Sequence, residues 1–205
     1  TVAGWHLTVL MGCCAGAAIL LVTWFWPTTR PIWDALDILA FNVFHGHLAH
    51  SGRAWHLFWA ATNTRLFDGV SASVFGFIFF TYIWAGGWDA VPKRVAQGVF
   101  LAGFTVIVLY ISTKQIFVFE RFSPSLVLEP VVRLSTLITE VKVKDASGNA
   151  FPGDHGTAVM LFTCFIWAFA GRRRGLAALG VACFVVLPRM VSGAHWITDL
   201  LVGSA

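Results

Sequence analysis

Residues 155–188 read HGTAVMLFTCFIWAFAGRRRGLAALGVACFVVLP, two apolar runs separated by a turn that contains Arg172, Arg173 and Arg174. Apolar runs of this kind predict membrane-spanning helices, and a turn this short predicts that the two helices are antiparallel neighbours. The chain then returns to the side of the membrane that it left. We therefore expect His155, at the start of the hairpin, and Arg189, directly after it, to lie at the same end of a helical bundle.

The composition of the whole chain agrees with this interpretation. Of the 205 residues, 58% are hydrophobic and 12% are charged, whereas soluble domains contain roughly 25% charged residues. Ten tryptophans and nineteen phenylalanines are typical of a protein in contact with lipid, because tryptophan collects at membrane interfaces. The composition argues against a soluble domain, and we expect membrane lipids rather than nucleic acid as partners.

The apolar runs predict a single domain, residues 1–205, with an all-α fold: a polytopic membrane bundle of about six transmembrane helices. Interfacial helices are predicted within the outer loop 27–69, where apolar residues recur at helical spacing among polar ones. The second outer loop, residues 114–152, is too charged to enter lipid. The sixth helix begins near His195 and is truncated at the end of the chain. The other predicted spans are Gly4–Trp26, Val70–Gly86, Val95–Thr113, His155–Gly171 and Gly175–Pro188.

The charges of the short turns predict the orientation of the bundle. With the N-terminus in the cytoplasm, the turns at Lys93-Arg94 and Arg172–Arg174 are cytoplasmic and carry five positive charges against one acid, Asp89. This arrangement satisfies the positive-inside rule, which depends most on short loops. Three polar segments are then expected together on the outer face: 114–121 after the third span, 152–155 before the fourth and 189–199 after the fifth.

Two of these polar segments carry groups that suit an anion. Lys114 and Arg121 are seven residues apart, two helical turns, so they share a face if the third span continues through both. Residues 152–155, Pro-Gly-Asp-His, place backbone N–H groups and an imidazole at the start of the fourth span, where the helix dipole favours negative charge.

The third segment runs from Arg189 to Asp199. Arg189 is a bidentate donor for phosphate. If the chain is helical from His195 to Asp199, the imidazole and the carboxylate share a face and can hydrogen-bond, which would leave His195 as an oriented nucleophile. A snorkelling role stays open for any single cation, but the three segments together predict a phosphate-handling site.

The three segments, Lys114-x6-Arg121, Pro152-x-x-His155 and Arg189-x5-His195-x3-Asp199, resemble the signature of the type 2 phosphatidic acid phosphatase superfamily. Its members are metal-independent lipid phosphatases and phosphotransferases that work through a phosphohistidine. More narrowly, residues 62–69, 144–147, 151–156 and 193–199 resemble the lipid A 1-diphosphate synthase branch. The likeness runs from about Trp26 to Ser204.

The resemblance implies a role for each matching residue. His195 is the nucleophile that becomes phosphorylated, Asp199 is its orienting partner, and His155 is the general acid toward the leaving group. The phosphate-binding residues are Lys114, Arg121, Arg189, Gly153 and Asp154.

The resemblance also implies a reaction and a location. The branch transfers a phosphoryl group from undecaprenyl diphosphate to the 1-phosphate of lipid A, without a cofactor, on the periplasmic face of a Gram-negative inner membrane. Gly153 and Asp154 stand where the broad superfamily has Ser-Gly, and the narrower branch shares this difference. Asp154 is expected to cap the fourth span, with pairing to a loop cation as the alternative.

The loop 130–149 is where we expect a second anion, the acceptor. Lys144 lies in the branch-like sequence Lys-Asp-Ala-Ser, while Arg133 and Lys142 are equally compatible with an ordinary outer loop. Arg65 and Asp68 are expected to form an interfacial ion pair or a helix cap at the start of the second span. A direct role of Arg65 and Asp68 in binding the substrate is the alternative, with Arg65 a candidate contact for the acceptor or part of a lid over the site.

Two other functions remain open. A hydrolase of the same superfamily, such as an undecaprenyl-diphosphatase, would use the same residues, and a transporter or channel could line a path with them. Metal binding is not predicted, because the histidines at positions 45, 47, 50 and 56 lack the HExxH spacing and cysteine partners of zinc sites. The sequence does not indicate the oligomeric state.

Overall fold

The computed structural model describes residues 7–204, and the regular elements within this range are helices. Five long apolar helices form the bundle, as expected where each backbone N–H must find its partner within its own segment. They are α1 (Leu7–Phe25), α4 (Arg65–Trp84), α5 (Val91–Ile111), α8 (Asp154–Ala170) and α9 (Arg172–Val191). The shorter elements are α2 (Arg30–His45), α3 (Arg53–Ala61), α6 (Pro124–Val127), α7 (Leu134–Leu137) and α10 (Ile197–Gly203).

The prediction of an all-α membrane bundle is confirmed. The six predicted spans correspond to the five long helices and to α10, which has only seven residues. Three helices, α4, α5 with its flanking turns and α9, are by themselves long and apolar enough to cross a membrane. A fourth span results if α1 and α2 are counted as one broken span, and α8 is a shorter apolar helix of 17 residues. The predicted start of the first span, Gly4, lies outside the described residues.

The second span begins at Arg65 and not at Val70. The side chain of Thr64 accepts a hydrogen bond from the backbone N–H of Phe67, 3.3 Å away, and so caps the helix one turn earlier than apolar periodicity alone predicts. This earlier start places Asp68 in the first turn of α4, at the end of the bundle that carries the polar segments.

The third span ends before Arg121. After Ile111 the chain makes one wide turn, Ser112–Ile116, of the π-helical kind, and the helix stops at Phe117. Arg121 lies beyond it in extended backbone that bridges to Asn149. The prediction that Lys114 and Arg121 share a helical face is therefore wrong.

The α8–α9 hairpin has the predicted form. Its turn is made by Gly171, whose φ of 84° is a left-handed conformation that glycine adopts without steric cost. The two helices pack with α4 around a core formed by Phe75, Ile166, Ala178, Ala182 and Val185.

The two basic turns meet at one end of the bundle. Arg94 donates to the carbonyl of Tyr82, and Arg174 donates to the side chain and the carbonyl of Thr81, near the end of α4. Lys114, His155 and Arg189 lie at the opposite end and line one cavity there. The hairpin thus returns the chain to the end that it left, as predicted.

Helix α2 runs across this second end, because it is bent by 92° from α1. His45 connects α2 to its surroundings by two hydrogen bonds. Its Nδ1 lies 2.8 Å from the carbonyl oxygen of Val191, and its Nε2 accepts from the N–H of Val132. This pattern requires a neutral imidazole with its proton on Nδ1. Burial lowers the pKa of His45 and favours the same neutral form. His45 therefore ties the outer loop to α9.

Candidate active site

A cavity of about 690 Å³ opens at this end of the bundle. It lies among the wide turn after α5, the loop 133–151, the start of α8, the end of α9 and the turn between α9 and α10. Seven of the residues singled out in the sequence line it: Lys114, Arg133, Lys144, Asp154, His155, Arg189 and His195. Four others, Arg65, Arg121, Gly153 and Asp199, do not line it.

His195 lies in the turn before α10 and not on a helix, in contrast to the helical arrangement assumed for the His195–Asp199 pair. The chain turns sharply at Gly193, where φ is 72°. The Nδ1 atom of His195 lies 2.8 Å from the carbonyl oxygen of Ala150 and 3.8 Å from the nearer carboxylate oxygen of Asp199. A carbonyl oxygen only accepts, so Nδ1 carries the proton and Nε2 keeps a free lone pair for the cavity. Such a nitrogen can act as a nucleophile.

Asp199 acts on the backbone beside His195 rather than on its ring. Its Oδ2 accepts from the N–H of Trp196 at 2.9 Å, which satisfies a backbone donor at the start of α10. Its Oδ1 accepts from the guanidinium of Arg121. The predicted direct hydrogen bond to His195 is therefore replaced by the carbonyl of Ala150, and Asp199 fixes the turn that carries the imidazole.

Arg121 is a buried structural cation. Only 10% of its side chain is exposed, and the guanidinium also pairs with Asp37 at 2.6 Å and donates to Thr198. It lies over the ring of Trp24, 4.8 Å from the centroid. In this position Arg121 joins α2 to α10 and faces two carboxylates instead of the cavity, so its predicted place in a phosphate clamp is not seen in this structure.

His155 has a fixed orientation of its own. Asp154 Oδ1 lies 2.8 Å from His155 Nδ1 and also accepts from the backbone N–H of His155. The Nε2 atom of His155 points toward Asp68, whose Oδ2 is 3.6 Å away. Asp154 therefore pairs with the neighbouring histidine and, as predicted for a cap, accepts from a backbone N–H in the first turn of α8. Among the described residues it forms no ion pair with a loop cation. A carboxylate in this position holds the imidazole in one orientation, as a general acid requires.

Gly153 is required for close packing. Its N–H donates to the carbonyl of Asp199 at 3.3 Å, and a Cβ atom here would stand 2.9 Å from the side chain of Leu200. Gly153 thus brings the start of α8 against α10, and its N–H is bonded to Asp199 and is not free for the predicted contact with phosphate.

Asp68 has other partners than the sequence predicted. Instead of pairing with Arg65, its Oδ1 accepts from Arg189 at 2.6 Å and its Oδ2 accepts from Lys144 at 2.9 Å. Arg189 is only 4% exposed, so this contact is well shielded from water. Residues 62–69, which resemble the branch, contain both Arg65 and Asp68. Their helical spacing favoured a local pair, whereas the actual partners of Asp68 are far away in the chain.

The remaining cations line the cavity from two sides. Lys114 lies in the wide turn that follows α5, at the carboxyl end of that helix, where the helix dipole favours positive charge. Arg133 approaches the buried carboxylate of Asp145 at 3.5 Å, and that carboxylate also accepts from the N–H of Ser135. Two oriented imidazoles and four cationic side chains thus surround one space, which suits the binding and transfer of a phosphoryl group.

The fold and this cavity together define a helical membrane protein with a phosphate-binding site at one end of its bundle. A sequence model of the PAP2 superfamily matches residues 98–205. The lipid A 1-diphosphate synthase of Escherichia coli (strain K12) is 33% identical over 185 residues, which cover 90% of this chain and 77% of that protein. No solved structure matches the chain.

The chain belongs to the PAP2 superfamily, within the branch that includes this lipid A 1-diphosphate synthase. It is accordingly a multi-pass membrane enzyme that acts on phosphorylated lipids. The resemblance predicted from the sequence motifs is confirmed at this level.

Proposed function

We propose that the protein transfers the terminal phosphoryl group of undecaprenyl diphosphate to the 1-phosphate of lipid A, by way of a phosphohistidine at His195. The products are undecaprenyl phosphate and lipid A 1-diphosphate. The observation that carries the proposal is the pair of histidines facing one cationic cavity, each with its Nδ1 already engaged. The relative from Escherichia coli, named for the same product, supports the choice of lipids.

In the first step His195 Nε2 attacks the terminal phosphorus of the diphosphate. The bond from that phosphorus to the bridging oxygen breaks, and undecaprenyl phosphate leaves with the electron pair. His155 stands ready to donate a proton to the leaving oxygen, with Asp154 holding its ring. A phosphate monoester is a good leaving group, so little proton donation is required. Lys114, Lys144 and Arg189 stabilise the charge on the transferred group.

In the second step an oxygen of the lipid A 1-phosphate attacks the phosphorus on His195. The nitrogen–phosphorus bond breaks, a new diphosphate bond forms and His195 Nε2 regains its lone pair. The acceptor is already ionised and needs no general base, whereas water does. Exclusion of water by a bound acceptor therefore favours transfer over hydrolysis.

A second space supports a lipid substrate. An apolar groove of about 750 Å³ runs between α4, α5 and α8 and opens at Asp68 and His155. Its walls include Phe75, Phe79 and Phe162. A polyprenyl chain in this groove would place its diphosphate beside the two histidines, because the groove and the cationic cavity share His155.

The same proposal places the cavity in the periplasm, with the protein in the inner membrane of a Gram-negative bacterium. The support is the arrangement of charge: Arg94 and Arg174 contact the end of α4 that is remote from His155. Under the positive-inside rule that end is cytoplasmic.

The test is the product spectrum of purified protein with terminally labelled undecaprenyl diphosphate, with and without lipid A. We expect label in lipid A 1-diphosphate and, without acceptor, label on the protein. Replacement of His195 by Ala should remove both, with a loss of transfer of about 10⁴-fold or more. His155→Ala should cost about 10²-fold, the low end for a general acid, because the leaving group is good.

Release of free phosphate at one rate with and without lipid A would instead identify a hydrolase. Unchanged phosphate release in the His195→Ala variant would contradict a phosphohistidine and leave the transporter alternative. Activity should persist in EDTA, since the proposed steps use protein groups alone. Loss of activity in EDTA that returns on adding a divalent metal would overturn this scheme.

A further inference from the structure

A third space lies beside the cationic cavity and belongs to neither step described so far. This groove, of about 780 Å³, is formed by the end of α3, the first turns of α4 and the segment 141–144. Its apolar walls are strongly exposed, with Leu66 at 78% and Val70 at 53%. The remaining apolar side chains on its walls are Phe58, Ala61, Phe67 and Val141.

Three cations stand along this apolar groove: Arg65, Lys142 and Lys144. Within residues 7–204, neither Arg65 nor Lys142 forms an ion pair with a carboxylate. Arg65 is moreover the first residue of α4, where the helix dipole disfavours positive charge by about 0.3–1 kcal/mol. The groove therefore combines apolar walls with positive charges that the protein itself leaves unneutralised.

The groove adjoins the cationic cavity through a shared residue. Lys144 lines both spaces, and its Nζ donates to Asp68, which also binds Arg189 of the cavity. An anionic headgroup held beside Lys144 in the groove is thus next to the place where the phosphoryl group is transferred.

We propose that this groove is the docking site of the acceptor, a phosphorylated lipid. The acyl chains lie against Leu66, Phe67 and Val70, and Arg65 and Lys142 bind the anionic headgroup. Lys144 then stands between the docked headgroup and His195. This inference rests on the proposed transfer reaction and assigns separate entrances to the two lipids: the α4–α5–α8 groove to the donor and the α3–α4 groove to the acceptor.

The test measures binding separately from catalysis. The His195→Ala protein, full length and in detergent, is titrated with lipid A that carries a 1-phosphate. Adding Arg65→Gln and Lys142→Gln should weaken this binding about tenfold or more, since two charge-assisted contacts are lost. The matched control is Arg53→Gln: Arg53 is an exposed cation on α3 that pairs with Glu140 and lines neither space. This control should change the affinity less than twofold.

The apparent melting temperature shows whether weaker binding comes from a damaged fold. Removing a cation from the first position of α4 should leave this temperature unchanged or slightly raised. In the active protein, the same two substitutions should raise the KM for lipid A and leave the KM for undecaprenyl diphosphate unchanged.

The groove is not the docking site if the protein with Arg65→Gln and Lys142→Gln binds lipid A as tightly as its His195→Ala parent. This conclusion does not depend on the activity. Equal binding of a lipid with the same acyl chains but no phosphate overturns the role of the cations. If the groove binds lipid A as expected but the wild-type protein transfers no phosphoryl group to it, the proposed reaction fails while the docking site stands.

Discussion

Asp68 places a carboxylate at the point where the cations of the site converge. Its two oxygens accept from Arg189 and Lys144, and His155 Nε2 is 3.6 Å away. A carboxylate and a phosphate present similar anionic oxygens to such donors. An incoming phosphate therefore has to compete with Asp68 for Arg189 and Lys144.

The Asp68→Asn substitution tests this competition, because it removes the negative charge and keeps the shape of the side chain. We expect inorganic phosphate to bind the variant about tenfold more tightly, which corresponds to about 1.4 kcal/mol. The measurement is the inhibition constant of inorganic phosphate in the transfer assay, together with its direct binding to the His195→Ala protein.

Asp34→Asn is the control for this charge change. Asp34 is an exposed carboxylate that pairs with Arg30 on α2, away from the cavity, and its loss should not alter phosphate affinity. Weaker phosphate binding by the Asp68→Asn variant would show that Asp68 orders the cations instead of competing for them.

At the scale of the elements, a buried ionic network joins α2, the segment around Arg121 and α10. Arg121 pairs with Asp37 and Asp199, and Thr198 donates to Asp37 through both its N–H and its hydroxyl. The three charged side chains are shielded from water, so the loss of one leaves others unpaired in a medium of low dielectric.

Arg121→Gln should consequently act on stability. We expect it to destabilise the fold by about 3–5 kcal/mol, the usual cost of breaking a buried ion pair, seen as a lower apparent melting temperature in detergent. Lys114→Gln is the comparison: this cation lines the cavity, so its loss should raise the KM for undecaprenyl diphosphate and leave the melting temperature unchanged. A stable Arg121→Gln protein with only a raised KM would restore Arg121 to the phosphate clamp.

His45 makes a second connection between elements, and this one depends on pH. Burial holds the pKa of His45 below its ordinary value of 6.5. In the folded protein the imidazole is neutral and accepts from Val132, which a protonated ring could not do. The stability that it contributes is full above about pH 6.5, the unfolded pKa, and is lost as the pH falls through the lower folded pKa.

His45→Gln should therefore flatten the fall of the apparent melting temperature between neutral and mildly acidic pH. It should also lower stability at neutral pH by about 1–3 kcal/mol, since buried hydrogen-bonding groups lose their partner. His50→Gln changes an exposed imidazole and should keep the wild-type pH profile. An identical acid dependence in the His45→Gln and wild-type proteins would contradict this account.

At the scale of the whole molecule, the bundle separates two kinds of positive charge. Arg94 and Arg174 close one end of α4 with hydrogen bonds to backbone carbonyls, while the cations of the other end surround open space. The first group is bonded to backbone carbonyls of the fold. The second group lines a cavity, where Arg189 and Lys144 share the carboxylate of Asp68.

Much of this arrangement was predictable from the sequence. The apolar runs predicted the helices, and the hairpin from His155 to Arg189 predicted that distant polar segments meet at one end. Element boundaries were less predictable where a side chain decided them: Thr64 starts α4 early, and the wide turn at Ser112–Ile116 ends α5 before Arg121. In both places local hydrogen bonds, and not the pattern of apolar residues, determine where the helix begins or ends.

The sequence was enough to predict the membrane bundle, the end at which the polar segments gather, and the two histidines there. These features follow from the apolar runs and from the hairpin that returns the chain to the same end of the bundle. Both can be recognised from residue types along the chain alone. Tertiary structure alone decided which charges are available to a ligand. Arg121 is neutralised by Asp37 and Asp199, Arg189 and Lys144 share Asp68, and Arg65 has no partner among the described residues. Such pairings join residues far apart in the chain, so only the packing of the helices can select them.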